Sequence, residues 1–424
     1  MKRLPLVIAI LLITTVIGAG VGPLLGDTDS VGQADPVDFE PSYATQVTET
    51  TEADRGVINV LAIPTGDIER SELRRQYADL GPASEFDTGV TTDRLATRAI
   101  ERQLESTSAD AERESQLDAE LSTVEAEVDG LETRERTATR AFSRGEIAPR
   151  EFLIELATIH LKATVLRDRT AMLESRASTF DDERFSNSRF QRIEYDLQML
   201  EGPLRAHAVA VLRAERPANR IMIETSDSGI ALTAIDDGQY IREVTRKELR
   251  KNGTGELTPE RAEELTQQQY PTLWNRSTSW SSAGPGSLFV MSVNFEQGGF
   301  QTFIDGPSER TFIEHQQLPL DTVITGSETT KIQDGLNVTV EQTYAGGPFR
   351  LTVTDESTGE PVEATVTVGQ DGQESQTVGT TDAEGALWAL SPRGTFTITI
   401  FGEGNSAAFI DITPPAPETV TTAE

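Results

Sequence analysis

The side chains able to do chemistry are few and scattered. The chain of 424 residues has no cysteine and three histidines, His160, His207 and His315. Without cysteine there is no disulfide, thiolate metal site, cysteine nucleophile or lipid-modified cysteine. Three separated histidines supply neither a multi-histidine zinc cluster nor a convincing Ser-His-Asp order. The acidic pairs Asp181–Asp182 and Asp236–Asp237 have the oxygen chemistry for weak calcium binding, but in so acidic a chain they read as solvated loop residues. A glycosidase needs two carboxylates across a cleft, and the 69 Asp and Glu single out no pair. No phosphate-cradling Gly-rich loop, zinc-protease helix, nucleophile elbow or EF-hand loop is present. The expectation is a protein that is not an enzyme and holds no catalytic residue, metal or cofactor.

Two other constellations carry chemical content. Asn252-Gly-Thr, Asn275-Arg-Ser and Asn337-Val-Thr fit the N-glycan acceptor pattern in or beside predicted turns. Trp274 and Trp280 flank a Ser/Thr-rich loop and offer a ligand or partner surface. Trp388 alternates with apolar residues and is expected in a core.

Charge restricts the partners. Lys and Arg total 37, giving a formal net charge of −32, so sequence-independent binding to a phosphate backbone is disfavoured and no nucleic acid is expected. Such density of like charge is self-repelling in dilute buffer, whereas at 1 M salt the screening length falls to about 3 Å. An acid-rich, lysine-poor surface spread over the whole chain reads as adaptation to concentrated salt. At the start, Lys2 and Arg3 precede an apolar run from Leu4 to Ile17 and then Gly18, Ala19 and Gly20. This is the three-part pattern of an export signal, and an extension through Leu25 makes a retained membrane anchor equally consistent. Residues 1–26 are assigned to signal or anchor and residues 27–55, acidic and poor in large apolar groups, to a disordered stalk.

The elements that must position any site follow from hydrophobic period. Residues 56–91 are expected to hold a buried strand at Val57–Ile63 and a short helix at Asp67–Tyr77. Residues 92–216 carry two seams of alternating three- and four-residue spacing. One runs Leu117, Leu121, Val124, Val128, Leu131, Ala138, Phe142, broken by Glu135; the other runs Phe152, Leu156, Ile159, Ala163, Leu166, Thr170, Leu173, Ala177. The short link at Gly145–Pro149 makes them an antiparallel, coiled-coil-like hairpin, and a helix from Thr92 to Ser143 would be a rod of roughly 75 Å. A third helical stretch, interrupted at Gly202-Pro203, packs back on it. Residues 217–320 read as α+β: a three-stranded meander, a helix capped by Thr258, then further strands with Asp-Gly turns in a weak internal repeat. Residues 321–415 show seven short runs of period two, the pattern of a β-sandwich, with Leu351, Val353, Val366, Val368, Phe396, Ile398 and Ile400 inward. Residues 416–424 are taken as a disordered tail.

Two segments resemble known modules. Helix, strands and an Asp-Gly turn over Thr258 to Leu320 resemble the PepSY module of exported proteins, interrupted by the insertion Ser277 to Gly286. The string from Thr354 to Leu390, within Phe349 to Thr413, resembles the carboxypeptidase-regulatory-like, transthyretin-like sandwich. The whole chain is similar to uncharacterised exported proteins of haloarchaea. These resemblances imply, respectively, restraint of an exported peptidase, an accessory structural or adhesive role, and a location. The fold class is therefore multidomain α+β. The expected function is a non-catalytic binding or structural module of a halophile's envelope, anchored or secreted. Its partners would be proteins or envelope components, with pairing to a second copy through the helices. The alternatives are a regulator of an exported peptidase and a hydrolase with an unrecognised carboxylate pair.

Overall fold

In the computed structural model, residues 59–420 are described, apart from 181, 252, 254, 297 and 371–373. The signal or anchor at 1–26 and the stalk at 27–55 lie outside the described residues, as do Asn252, Asp181 and the last four residues.

The segment Asp67–Tyr77 is an edge strand, β1 (Arg70–Gln76), preceded by a 3-10 turn at Thr65–Asp67. This corrects the helix expected there. Its Glu, Leu and Arg favour helix, but the neighbouring strand β2 (Asn219–Thr225) pairs with it along its whole length, from Arg70 opposite Thr225 to Gln76 opposite Asn219. Strand tendency is decided by such a partner more than by the chain itself. Residues Val60–Ile63 are buried but form no strand of a sheet; a single bridge joins Val60 to Thr419. Their backbone is satisfied by side chains instead. The Leu61 amide donates to Glu314 Oε2 (2.5 Å), Arg242 donates to the Leu61 carbonyl (2.7 Å) and Arg246 to that of Ala62 (3.0 Å). The expected loose tail is corrected in part: the Val60 amide donates to the Glu418 carbonyl and the Val420 amide to the Val60 carbonyl, both at 3.0 Å, and Val420 is buried.

Between β1 and β2 the described residues build α1 (Leu80–Ser106), α2 (Asp110–Ser143), α3 (Pro149–Ala177), α4 (Asn187–Gln198) and α5 (Pro203–Leu212). Helix starts at Leu80, not Thr92, because Asp79 caps it, accepting from the Gly81 amide. It breaks at Thr107–Ala109, so the expected 75 Å rod is two helices, the longer about 50 Å. Both seams are buried faces of α2 and α3, with Phe142 and Phe152 stacked at 4.7 Å. Arg70 reaches from β1 to close their turn, donating to the carbonyls of Phe142 (2.9 Å) and Ile147 (3.0 Å) with its guanidinium 4.2 Å from the Phe142 ring. Glu135, which interrupts the seam in the sequence, is buried within it.

The sheet continues through β3 (Gly229–Asp236) and β4 (Gln239–Arg246). After α6 (Pro259–Gln269) and α7 (Pro271–Trp274) come β5 (Ser279–Ala283), β6 (Leu288–Phe295), β7 (Gly298–Asp305) and β8 (Arg310–Pro319). Thr258 caps α6, accepting from the Arg261 amide. The order is β1-β2-β3-β4-β8-β7-β6-β5, antiparallel at each pair. The weak internal repeat is thus two meanders joined by their last strands. The β3–β4 turn places Asp237 and Gly238 at φ +48° and +73°, the left-handed pair that a tight hairpin requires. The expected sequential domains therefore change: β1 belongs to the sheet, and the helices are inserted into it. The insertion read at Ser277–Gly286 contains β5, a strand with no apolar alternation to reveal it. One face of the sheet packs Ile221, Ile223, Leu232 and Ile241 against Phe142, Phe152, Leu156 and Leu204. The other packs Met222, Tyr240, Val244 and Phe300 under Val60–Ile63, Tyr270, Tyr344 and Leu390.

The C-terminal part is a sandwich of two four-stranded sheets. One is ordered β14-β11-β10-β9, the other β13-β12-β15-β16. The strands are β9 (Ser327–Gln333), β10 (Leu336–Gln342), β11 (Pro348–Asp355), β12 (Thr365–Gly369), β13 (Gln376–Thr380), β14 (Ala386–Leu390), β15 (Phe396–Phe401) and β16 (Ala407–Ile412). The seven inward residues named from the sequence are all buried. Among the described residues there are eight strands, not seven, because β9 is a polar edge strand whose only recommendation is its pairing with β10. Among the described residues no helix is long and apolar enough to cross a membrane.

One surface helix carries a strained charge. Burial, with Glu132 nearby, pushes Asp196 on α4 up to about 6. A carboxyl raised in the folded state favours folding below its ordinary value, 3.8, and that contribution is lost as pH rises through about 6. Asp196→Asn is therefore expected to stabilise the protein by about 1–2 kcal/mol at pH 8, after allowance for partial exposure, and by little at pH 4. Urea midpoints at the two pH values, in constant high salt, check it.

Candidate functional site

The sandwich is keyed onto the β1–β2 edge of the large sheet. Arg393, just after β14, meets Glu224 of β2 with two bonds (2.5 and 3.0 Å). Arg220 of β2 donates to the Thr377 carbonyl of β13 and to Gln376 Oε1 (3.2 Å). Thr233 donates to the Gly346 carbonyl (3.3 Å), and the hydroxyls of Tyr240 and Tyr344 lie 2.9 Å apart. Leu390 and Tyr344 enter the apolar layer above the sheet. A cleft of about 270 Å³ remains at this junction, its lining including Leu73, Arg75, Arg220, Ile235, Thr377, Trp388 and Leu390. Trp388 is half-buried against the sheet's apolar layer, so the expected core tryptophan is a wall of the cleft.

The two other tryptophans are brought together. Trp274, at the end of α7, is half-buried, and Trp280 on edge strand β5 is 42 % exposed, with ring centroids 5.7 Å apart. The sequence pattern has them flanking a Ser/Thr-rich loop; Trp274 ends a short helix and Trp280 lies on a strand. Asn275 is exposed directly after Trp274. Asn337 is half-buried on β10 between β9 and β11, and its Oδ1 finds no partner among the described residues.

The histidines do not converge on a reactive centre. His207 Nε2 contacts Asn219, and its Nδ1 is 3.6 Å from Asp236. Burial, then the Arg205 charge, lowers His160 to about 4 and His315 to about 3. His315 packs edge-on to Phe303. Among the described residues no group of three His, Asp or Glu is arranged to hold a metal. Asp236 is taken up by Arg216 (2.9 Å).

A buried ionic cluster lies where the helices meet the sheet. Arg205 of α5 reaches Glu135 of α2 (2.6 Å) and Glu243 of β4 (2.6 Å) and donates to the Leu200 carbonyl (3.0 Å). Lys247 completes it at 2.5 Å from Glu135. Glu243 also accepts from the Leu204 amide at the start of α5 (3.2 Å), where the helix dipole favours an anion. Gly202 is required by this approach, since a Cβ there would fall onto the Glu243 carboxylate. Burial raises Glu135, but Lys247 and Arg205 outweigh it and hold the carboxyl at about 2. Charges balance within the cluster, which makes it a structural pin.

Comparison with known families matches residues 1–216 to a domain of unknown function, DUF7096. The chain belongs to that family. Residues 221–323 match a second model, the family of unknown function DUF7094, and residues 327–409 match an archaeal fibronectin-III type-like domain. No curated protein and no solved structure matches the chain. The DUF7096 region supplies β1 and the helices; the DUF7094 region supplies most of β2 and all of β3–β8. The eight-stranded sheet is therefore built by both. The sandwich, first likened to a carboxypeptidase-regulatory-like module over Phe349–Thr413, is similar to a fibronectin-III type over a span that takes in β9. None of the cleft residues could be found in the sequence, because Arg75, Arg220 and Trp388 lie on three distant strands with no shared motif.

Proposed function

We propose that this protein is a non-catalytic binding and structural module of the cell envelope, outside the cytoplasm of an organism living in concentrated salt. The observation that carries the reading is the keyed docking of a fibronectin-III-like sandwich on the sheet edge. Arg393–Glu224, Arg220–Thr377 and Tyr240–Tyr344 hold two modules as one body with a cleft between them. Clefts between modules are common ligand sites. The apolar leader with its basic head and the lysine-poor acidity support the location. Its partners are envelope proteins or glycans. Proteinase treatment of intact cells in high salt, followed by mass spectrometry, tests the location, with digestion of residues 59–420 expected. Capture from envelope fractions by the purified chain tests the binding. A chain found wholly in the cytosol would remove this reading.

The peptidase-restraining alternative has one observation in its favour, the exposed Trp280 beside Trp274 within Thr258–Leu320. Deleting that segment would remove β5–β8, half of the sheet, so the proper variant is Trp280→Ser. A change in secreted proteolysis with the fold intact favours regulation, and unchanged proteolysis removes it. Turnover of a peptide or polysaccharide in concentrated salt, abolished by a single Asp or Glu replacement, would establish the hydrolase reading instead.

A further inference from the structure

The cleft at the sandwich junction has a charge opposite to the chain that makes it. Acidic residues outnumber basic ones 69 to 37, yet no Asp or Glu lines this cleft, and two arginines do. Arg75 and Arg220 stand directly opposite each other on β1 and β2. Like charges so placed oppose pairing by roughly 0.2–1 kcal/mol. Among the described residues neither has a carboxylate partner. Arg220 is held by neutral acceptors, the Thr377 carbonyl and Gln376 Oε1, and Arg75 lies 5.5 Å from the Tyr77 ring. Burial, then Arg75, lowers the pKa of Arg220, the mark of a cation short of counter-charge. An anion between the two guanidiniums would convert repulsion into two charge-assisted contacts.

The rest of the lining specifies more than charge. Leu73 and Ile235 of the sheet and Trp388 and Leu390 of the sandwich give the cleft apolar surface, and the Trp388 ring suits the flat face of a ligand ring. A volume of about 270 Å³ lies just below the range of drug-sized sites, so it takes one ring and not a chain. Resting on the reading of this junction as a binding site, we propose that the cleft binds a carboxylate carried on a six-membered ring, the carboxylate between Arg75 and Arg220 and the ring against Trp388. Two sources share this chemistry, a uronic acid residue of a glycan and an aromatic acid.

The experiment is calorimetric titration of the full chain in 1–2 M KCl with glucuronate, galacturonate, benzoate, glucose and acetate. One of the ring acids is expected to bind, and glucose and acetate not to. Glucuronate or galacturonate alone identifies a glycan source; benzoate alone identifies an aromatic acid. Arg75→Gln, an exposed side chain, should weaken binding at least tenfold with a melting temperature unchanged or slightly raised, and added KCl should weaken it further. Trp388→Leu should do the same for the ring acids. Binding of no ring acid, equal binding of acetate, or an affinity unmoved by Arg75→Gln overturns the proposal. If the Arg75→Gln protein captures envelope material as well as the parent does, the ligand assignment fails while the envelope reading stands. If ring acids bind and nothing is captured, the envelope reading fails and the ligand assignment stands.

Discussion

Arg205→Leu is expected to cost about 3–5 kcal/mol of folding stability, the range for breaking a buried ion pair from one side. The side chain is fully enclosed, with side-chain exposures of 0 % for Arg205, 2 % for Glu135 and 1 % for Glu243. Leucine fills part of the volume but leaves two carboxylates in an apolar junction. Glu135 retains Lys247, and Glu243 retains the amide of Leu204. Neither replaces a guanidinium that meets both. Replacing Glu243 by Leu in the same chain should recover part of the loss, because one unpaired charge then disappears. The two substitutions should differ from additivity by 1 kcal/mol or more. Urea unfolding of the four proteins in constant salt measures this. A loss under about 1 kcal/mol for Arg205→Leu would mean that water reaches the cluster. The pin matters beyond stability. It ties α2 and α5 to β4, so the helical hairpin is fixed on the sheet.

The hairpin was legible because a packed helix pair writes itself locally: Leu117, Leu121, Val124 and Val128 repeat at the spacing that buries them. The sandwich was legible for the same reason at period two, with Leu351 and Val353 or Ile398 and Ile400 inward. Strands whose warrant is a distant neighbour were not. β1 reads RSELRRQ, a helical composition, and is a strand because β2 offers it an edge 140-odd residues later. β5 and β9 are polar edges with the same dependence. The functional chemistry is less legible still. Glu135 looked like a flaw in a seam and is the centre of the buried cluster, since its partners Arg205 and Lys247 come from two later elements. The cleft's opposed arginines required knowledge of register, which no single strand contains. Trp274 and Trp280 were legible together because only five residues lie between them in the chain.

Stability should fall steeply as pH drops from 6.5 toward 4, at up to about 2.7 kcal/mol per pH unit, the slope for two protons taken up on unfolding. Burial, followed by Arg205, holds His160 and His315 neutral to about 4 and about 3. For a histidine lowered in the folded state, the unfolded chain protonates first, near its ordinary 6.5. Below that value unfolding takes up protons that the native state refuses, so stability is lost as pH falls, and the loss levels off only under the folded values. Glu135 adds to this later. Its carboxyl is held at about 2 against an ordinary 4.5, so its contribution of about 3 kcal/mol is present above 4.5 and lost as pH falls through 2. Neutralising the acidic excess works in the opposite direction by relieving self-repulsion, and constant 2 M KCl suppresses that effect. Urea midpoints at half-unit steps from pH 7 to 4 measure the slope. His160→Gln and His315→Gln should each remove about 1.4 kcal/mol per pH unit, and the double variant should no longer lose stability between pH 6.5 and 4.5, leaving only the opposite slope that Asp196 contributes. A parent protein already flat over this range, or a slope that survives the double replacement, would show that the histidines are reached by water and that the junction of helices and sheet is open in solution.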